Sequence, residues 1–414
     1  MSLLAEGQPT RRRIRRGLGL LGDSFSANCH TVAATAFGTE AYGYAGAIAA
    51  KTGLFPSYLD NQGKVGDHSG QFMARVPSCL TSLTADLWML LSRTNDSTTV
   101  GMTLADSKAN VMKAITAFQN TPGKYLIVGT GTPRFGTKAL TGPALADAIA
   151  YKDWVLTYVR QFVPVVNIWD GFTQDMTVDD LHPNMIGADF IQSRCVPIIN
   201  ANFEFFGVPL PTDAADLYSA IRPFGCLNAN PLLAGTAGAI NASVNPVAGS
   251  VLADSHKAAG SGLTGVSTRW YKEPAAFGEA QCIELSGTMA AAGGYIYVQP
   301  AANLTLSNLV AGDVIEMVAA PEIVGSTLGI LGWEAELIVT KPVGGASSLV
   351  YYRSMDKYQE PFTLPASWKG ALETQRYTFD ATETVISWRM GLYLAAGIAL
   401  DSRAKVGQIG VRKI

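Results

Sequence analysis

Along the first two hundred positions, short apolar runs alternate with longer stripes of helical spacing. Leu18-Gly-Leu-Leu-Gly22 is an apolar run closed by Asp23 and Ser24, which suits a buried strand. Residues 25–51 are rich in alanine with few breakers after Gly46, and they predict a helix. Asn61-Gln-Gly-Lys-Val-Gly66 is a glycine-punctuated loop. The stretch 69–82 predicts a helix ending near Pro77 or shortly after it. Asp86-Leu-Trp-Met-Leu-Leu91 predicts a strand that stops at Arg93-Thr-Asn95-Asp96. From Leu104 to Gln119, Leu104, Val111, Met112, Ile115 and Phe118 recur at three-and-four spacing, the stripe of an amphipathic helix. Lys108 interrupts that stripe, though its alkyl stem can lie along it. Tyr125-Leu-Ile-Val128 predicts a strand, Ala144 to Phe162 a helix, Pro164-Val-Val-Asn-Ile-Trp169 a strand, and Ile186 to Val196 a helix after Pro183. This alternation predicts a parallel sheet covered on both faces. Such sheets carry their sites at the carboxyl ends of the strands. Ser24, Gly66, Asn95, Asp179 and His182 all fall at those ends.

Beyond Phe206 the pattern changes. Asn228 to Gly262 is dense in Ala, Gly, Ser and Asn. Eight strand-like pieces follow: 280–285, 294–298, 313–318, 333–339, 348–352, 373–379, 385–394 and 405–411. Several alternate apolar and polar residues, as half-buried strands do. They predict an antiparallel β-sandwich of jelly-roll type. The chain then divides into a basic arm (1–17), an α/β domain with a parallel sheet (18–205), a linker (206–224) and an all-β jelly-roll sandwich (225–414).

Composition narrows the reading. At 414 residues the chain exceeds the roughly 250–300 residues at which single cores stop growing. Its net charge of −2 lacks the basic excess that nucleic acid demands. No run of 18 apolar residues is present, so no transmembrane helix is expected. Arg11, Arg12, Arg13, Arg15 and Arg16 precede an apolar stretch too short for a secretion signal, and they read as a solvated arm. Cys29, Cys79, Cys195, Cys226 and Cys282 share no CxxC spacing and read as buried thiols. No metal and no cofactor is expected.

Acyl transfer through serine needs a nucleophile, a base, a group that orients the base, and donors for the oxyanion. Ser24 is the candidate nucleophile and His182 the candidate base. Asp179, three residues before His182, can fix the imidazole tautomer. Asn95 can offer a side-chain N–H and Gly66 an unobstructed backbone N–H. Each has a plainer reading. Ser24 suits a helix N-cap, Asn95 a loop cap, and His182-Pro183 an ordinary turn. His30 and His68 read as local hydrogen-bonding residues, Asp180 as a solvated neighbour of Asp179, and Trp169 as core.

Four blocks in order resemble the SGNH hydrolase superfamily, the GDSL esterases and lipases. Gly22-Asp23-Ser24-Phe25-Ser26 matches the first block. Asn61-Gln-Gly63-Lys-Val-Gly66-Asp67 resembles the second, Arg93-Thr-Asn95-Asp96 the third, and Asp179-Asp-Leu-His182-Pro-Asn184 the fifth. The resemblance spans residues 18–200. It implies a three-layer, flavodoxin-like α/β hydrolase domain. It also implies a Ser24, His182, Asp179 triad and an oxyanion hole built from Ser24, Gly66 and Asn95. The glycine that opens the third block is Arg93 here, which narrows the pocket or places a cation near the substrate. Arg93, His68 and Arg134 are candidate substrate contacts. The Gly-x-Ser-x-Gly elbow of α/β-hydrolases is absent, because Ser26 stands where its last glycine belongs. Gly129-Thr-Gly-Thr-Pro-Arg134 lacks the ending of a phosphate-binding loop.

By layout, the second half resembles the carbohydrate-binding jelly rolls appended to glycan-active enzymes. Trp270, Tyr271, Trp333, Tyr351, Tyr352 and Trp368 are candidates for sugar stacking or, equally, for core packing. The expected function is a serine esterase that removes acetyl groups from a polysaccharide, with neither nucleic acid nor membrane as partner. A signal-free esterase fused to a β-sandwich also fits a bacteriophage tail protein, which would be trimeric. The alternatives are a lipase or small-ester hydrolase, and a receptor-binding tail protein with a degenerate hydrolase fold.

Overall fold

The structure, a computed structural model, describes residues 11–14, 17–32, 39–41, 43–52, 54, 60–82, 85–91, 93–99, 101–205, 210–290, 294–343, 346–353, 369–374 and 376–414. Arg15, Arg16 and Trp368, and the side chains of His30, Tyr351 and Tyr352, lie outside the described set.

The first half comprises β1 (Arg12–Ile14), β2 (Gly17–Gly22), α1 (Ser24–Ala27), β3 (His30–Val32), β4 (Thr39–Ala41), α2 (Gly43–Thr52), β5 (Asn61–Gly63), α3 (Ser69–Phe72), α4 (Val76–Thr81), β6 (Ala85–Leu91), α5 (Leu104–Gln119), β7 (Tyr125–Gly129), α6 (Gly142–Thr157), β8 (Val165–Val166), α7 (Met185–Asn202) and β9 (Phe203–Phe205). Five strands form one parallel sheet in the order β5-β2-β6-β7-β8. Successive residues of each strand point to opposite faces, so the sheet feeds two cores. Leu18, Leu20, Leu87, Met89 and Ile127 pack with α2 and α7. Leu21, Trp88, Leu90, Leu126 and Val128 pack with α4, α5 and α6. The predicted three-layer α/β arrangement is what forms.

Several expectations are corrected. The helix expected over 25–51 is broken: α1 stops after one turn, and β3 and β4 pair antiparallel before α2 begins. The β-branched Thr31, Val32 and Thr39 favour extended backbone over helix there. The strand expected over 164–169 shrinks to Val165–Val166, because the Asn167 side chain accepts from Trp169 N and Asp170 N and turns the chain. The basic arm is not wholly solvated. Arg12–Ile14 pairs in parallel with Phe203–Phe205, Ile14 is buried, and the Arg12 guanidinium lies 5.2 Å from the Tyr125 ring centre.

The second half comprises β10 (Ala237–Ile240), β11 (Leu252–Ser261), β12 (Val266–Pro274), β13 (Glu279–Thr288), β14 (Gly294–Pro300), β15 (Val314–Val324), β16 (Ile330–Thr340), β17 (Ala346–Arg353), β18 (Leu372–Glu373), β19 (Tyr377–Thr378), β20 (Val385–Leu394) and β21 (Ala399–Lys413). One sheet runs β10-β11-β14-β20-β16-β17. The other runs β12-β13-β21-β15-β18, with β19 also on β15. All pairings are antiparallel except β10 with β11. A single apolar cluster takes side chains from both sheets, so they form a sandwich. Trp270 and Trp333 lie inside it, fully buried, and so cannot stack on a sugar. The halves share a packed seam. Ala47 of α2 and Met185 of α7 are buried in the sandwich cluster, and Lys51 donates to the Lys369 carbonyl.

Candidate active site

The carboxyl end of β2 fixes the nucleophile. Gly22 takes a φ of +152°, and a Cβ there would collide with the Leu91 carbonyl of the neighbouring strand. Only glycine lets the chain turn this close to β6. Asp23 then caps α1, its Oδ1 accepting from Phe25 N at 3.0 Å. The N-cap role that sequence offered to Ser24 therefore falls to Asp23, which leaves the serine hydroxyl for other partners.

That hydroxyl meets His182. Ser24 Oγ lies 2.9 Å from His182 Nε2, and His182 Nδ1 lies 2.9 Å from Asp179 Oδ2. Asp179 Oδ1 also accepts the His182 backbone N–H at 2.8 Å. Burial raises the Asp179 pKa, but the hydrogen bonds and charge of His182, with the Leu181 backbone N–H, together outweigh it and hold the carboxyl below its ordinary value. An ionised carboxylate only accepts, so Nδ1 carries the proton and Nε2 is left to accept from the serine hydroxyl. The loop that carries this pair is anchored at both ends. Asn184 caps α7 through Gly187 N at 3.0 Å, and its Nδ2 donates to the Asp175 carbonyl at 2.7 Å. Asp180 is a clamp and not a solvated bystander: its carboxylate accepts from Thr137 N at 3.2 Å and Gln174 Nε2 at 2.8 Å.

The second and third blocks converge on the same edge. Lys64 N donates to the Gly22 carbonyl at 3.1 Å, which ties the loop to β2. Gly66 has φ +82°, and open space lies where a Cβ would be. Asn95 Nδ2 donates one hydrogen to the Asp67 carbonyl at 3.0 Å. That bond sets the amide's direction and uses one of its two hydrogens. Asp96 holds both loops, accepting from Ser69 N at 2.7 Å and Ser107 Oγ at 2.5 Å. Arg75 pairs with Asp67 and donates to the Gly22 carbonyl at 2.9 Å and the Gln62 carbonyl at 2.7 Å. Sequence reading passed over Arg75, because nothing in a helical stretch marks a side chain that reaches back across the sheet edge. His68 caps α3, its Nδ1 accepting from Gly70 N at 3.2 Å. Arg134 donates to the Thr94 carbonyl, beside Asn95.

Two predictions arise here. Asn95→Ala should lower kcat by roughly a hundredfold or more, the usual cost of one oxyanion donor, with KM little changed. A change confined to KM would show that Asn95 holds the ground state instead. Asp23 offers a stability test. It is buried, and burial raises its pKa from 3.8 to about 6 against the hydrogen bonds from Phe25 and Thr94. The native state keeps a proton that the unfolded chain has released, so stability falls as pH rises from 3.8 to about 6. Above that window the full penalty stands, about 3 kcal/mol for a shift of roughly two units. Asn retains the cap without the charge. Asp23→Asn should therefore raise the denaturation midpoint at pH 8 and leave it unchanged at pH 3.5; equal effects at both pH values would refute this.

No family model and no curated protein matches the chain. Solved structures do. An acetylxylan esterase from Geobacillus stearothermophilus is 15% identical, with a TM-score of 0.38, over 47% of this chain and 98% of that one. A carbohydrate esterase family 3 protein from Talaromyces cellulolyticus is 16% identical, with a TM-score of 0.34, over 46% and 96%. A GDSL-like lipase from Bacteroides thetaiotaomicron is 16% identical, with a TM-score of 0.35, over 47% and 91%.

Proposed function

We propose that this chain is a serine esterase that removes acyl groups, acetyl foremost, from a polysaccharide. One observation carries the reading: Ser24 Oγ, the His182 ring and the Asp179 carboxylate stand in a hydrogen-bonded line with 2.9 Å at each step. In the first half-reaction Ser24 Oγ attacks the ester carbonyl and its proton passes to His182 Nε2. The Ser24 and Gly66 backbone N–H groups and the Asn95 amide hold the oxyanion. Collapse breaks the bond to the sugar oxygen, which takes the proton from His182. Water then attacks the acyl-serine, with His182 as base, and the acid leaves.

The carbohydrate preference draws on the sandwich. Tyr295 and Tyr297 alternate with buried Ile296 and Val298, so they face away from the core. Their ring centres are 5.8 Å apart, and Tyr393 stands 6.0 Å from Tyr295. Such a tyrosine group offers stacking faces and hydroxyls to a glycan, a role the buried Trp270 and Trp333 cannot take. The test is acetate release across a panel of acetylated glycans by the full chain and by Ser24→Ala. Release from at least one glycan, abolished in the variant, supports the reading. Turnover of p-nitrophenyl acetate with no glycan deacetylated would leave a small-ester hydrolase.

A further inference from the structure

Beside Asn95, at the carboxyl ends of β6, β7 and β8, a small half-open recess is lined by Arg93, Arg134, Thr132, Tyr151 and Trp169. Two cations share it, Arg93 buried and Arg134 half-buried. Arg93 is only 7% exposed, its Nη1 donates to Ser97 Oγ at 2.7 Å, and its guanidinium lies 5.0 Å from the Tyr151 ring centre. Among the described residues its Nε has no hydrogen-bond partner, and neither has the Thr132 hydroxyl. Arg134 donates to a neutral carbonyl, that of Thr94.

Among the described residues no carboxylate forms an ion pair with either guanidinium. Asp96, which accepts from Ser69 and Ser107, acts on Arg93 only from a distance. Asp147 acts on Arg93, and Asp23 on Arg134, from beyond ion-pair distance. A buried charge without a counter-ion is costly. Here the backbone adds to the cost, because Arg93 sits at φ +82°, where glycine is at ease and arginine is not. Both features weaken the fold, and both place a guanidinium next to the oxyanion site.

We infer that Arg93 and Arg134 form a specificity subsite for a carboxylate carried by the substrate. The inference rests on the esterase reading for its biological setting, though not for its binding chemistry. The recess holds about 20 Å³, room for one water-sized group. It admits one oxygen of a carboxylate and leaves the rest of that group and a sugar ring outside, against the rim at Trp169. Two guanidiniums and a free hydroxyl are the donors such a group takes up. Burial lowers the pKa of both arginines, and a bound anion would oppose that. The carboxylate has two chemical sources: a uronic acid unit of the glycan, or the far end of a dicarboxylic acyl group.

Binding to the full-length Ser24→Ala protein separates the sources. Methyl galacturonoside is compared with methyl galactoside, and methyl hemisuccinate with dimethyl succinate, by calorimetry or ligand-observed NMR. One acid should bind at least about tenfold more tightly than its neutral counterpart. Arg93→Gly and Arg134→Gln, made in the same background, should each erase that preference. Arg93→Gly also relieves the positive φ, so its melting temperature should hold or rise. If neither acid outbinds its neutral counterpart, or if either variant keeps the preference, the two-arginine subsite is wrong. Turnover of p-nitrophenyl acetate by the unmodified chain reads the esterase assignment separately. Acid binding without turnover keeps the subsite and removes the esterase; turnover without acid preference does the reverse.

Discussion

Replacing Ser24 with alanine is expected to lower ester hydrolysis by about ten-thousand-fold or more, with the melting temperature within about 3 °C of the parent. Among the described residues the side-chain hydroxyl has one hydrogen-bond partner, His182 Nε2. The strand, the glycine turn and the Asp23 cap that place residue 24 are all independent of it. Alanine therefore removes the attacking oxygen and leaves its setting intact. The measurement is turnover of p-nitrophenyl acetate beside a thermal melt. A folded variant with near-parent turnover would show that another group attacks the ester.

Asp179→Asn should cost about a thousand- to ten-thousand-fold in kcat, close to the effect of losing a triad carboxylate elsewhere. Asparagine can still accept the His182 backbone N–H through Oδ1, so the loop keeps its shape. Its Nδ2 hydrogens then face His182 Nδ1, which must become an acceptor. The ring proton moves to Nε2 and points at Ser24 Oγ, so the imidazole can no longer take the serine proton. A kcat loss of less than about tenfold would mean that His182 keeps its tautomer by other means. A shift of the ring nitrogen NMR signals in the variant would report the tautomer change directly.

Residues that act through the local chain were legible in the sequence. Strands β2, β6 and β7 are legible to within a residue, because a strand buried on both faces writes itself as a continuous apolar run; β8 is shorter than its apolar run, and the polar edge strand β5 reads as a loop. Ser24, Asp179 and His182, which the fold brings into contact, are marked in the sequence because each sits at a turn with its own residue signature. What stayed hidden acts across space. Arg75, Asp96 and Asp180 fix the loops through partners far away in sequence, and a polar residue in a helix or loop carries no mark of such a partner. The buried Trp270 and Trp333 read the same as exposed aromatics, since alternation shows that a face exists and not which face is inside. The break after α1 was missed because alanine content outweighed three β-branched residues that tertiary pairing then selected. The seam through Ala47 and Met185 gave no signal either. A cut near residue 206 would uncover both.

The pairing of Arg12–Ile14 with Phe203–Phe205 has a mechanical consequence. These strands run parallel. The segment before Arg12 joins one end of the ladder, and the segment after Phe205 leaves the opposite end. A pull between the two segments therefore loads its hydrogen bonds in shear, all together, instead of peeling them one by one. Along the chain, the force passes across this short clasp, and the backbone between residues 14 and 203 is bypassed. The five-stranded sheet, with Ser24 and His182 at its edge, would keep its geometry while the segments on either side of the clasp are under tension.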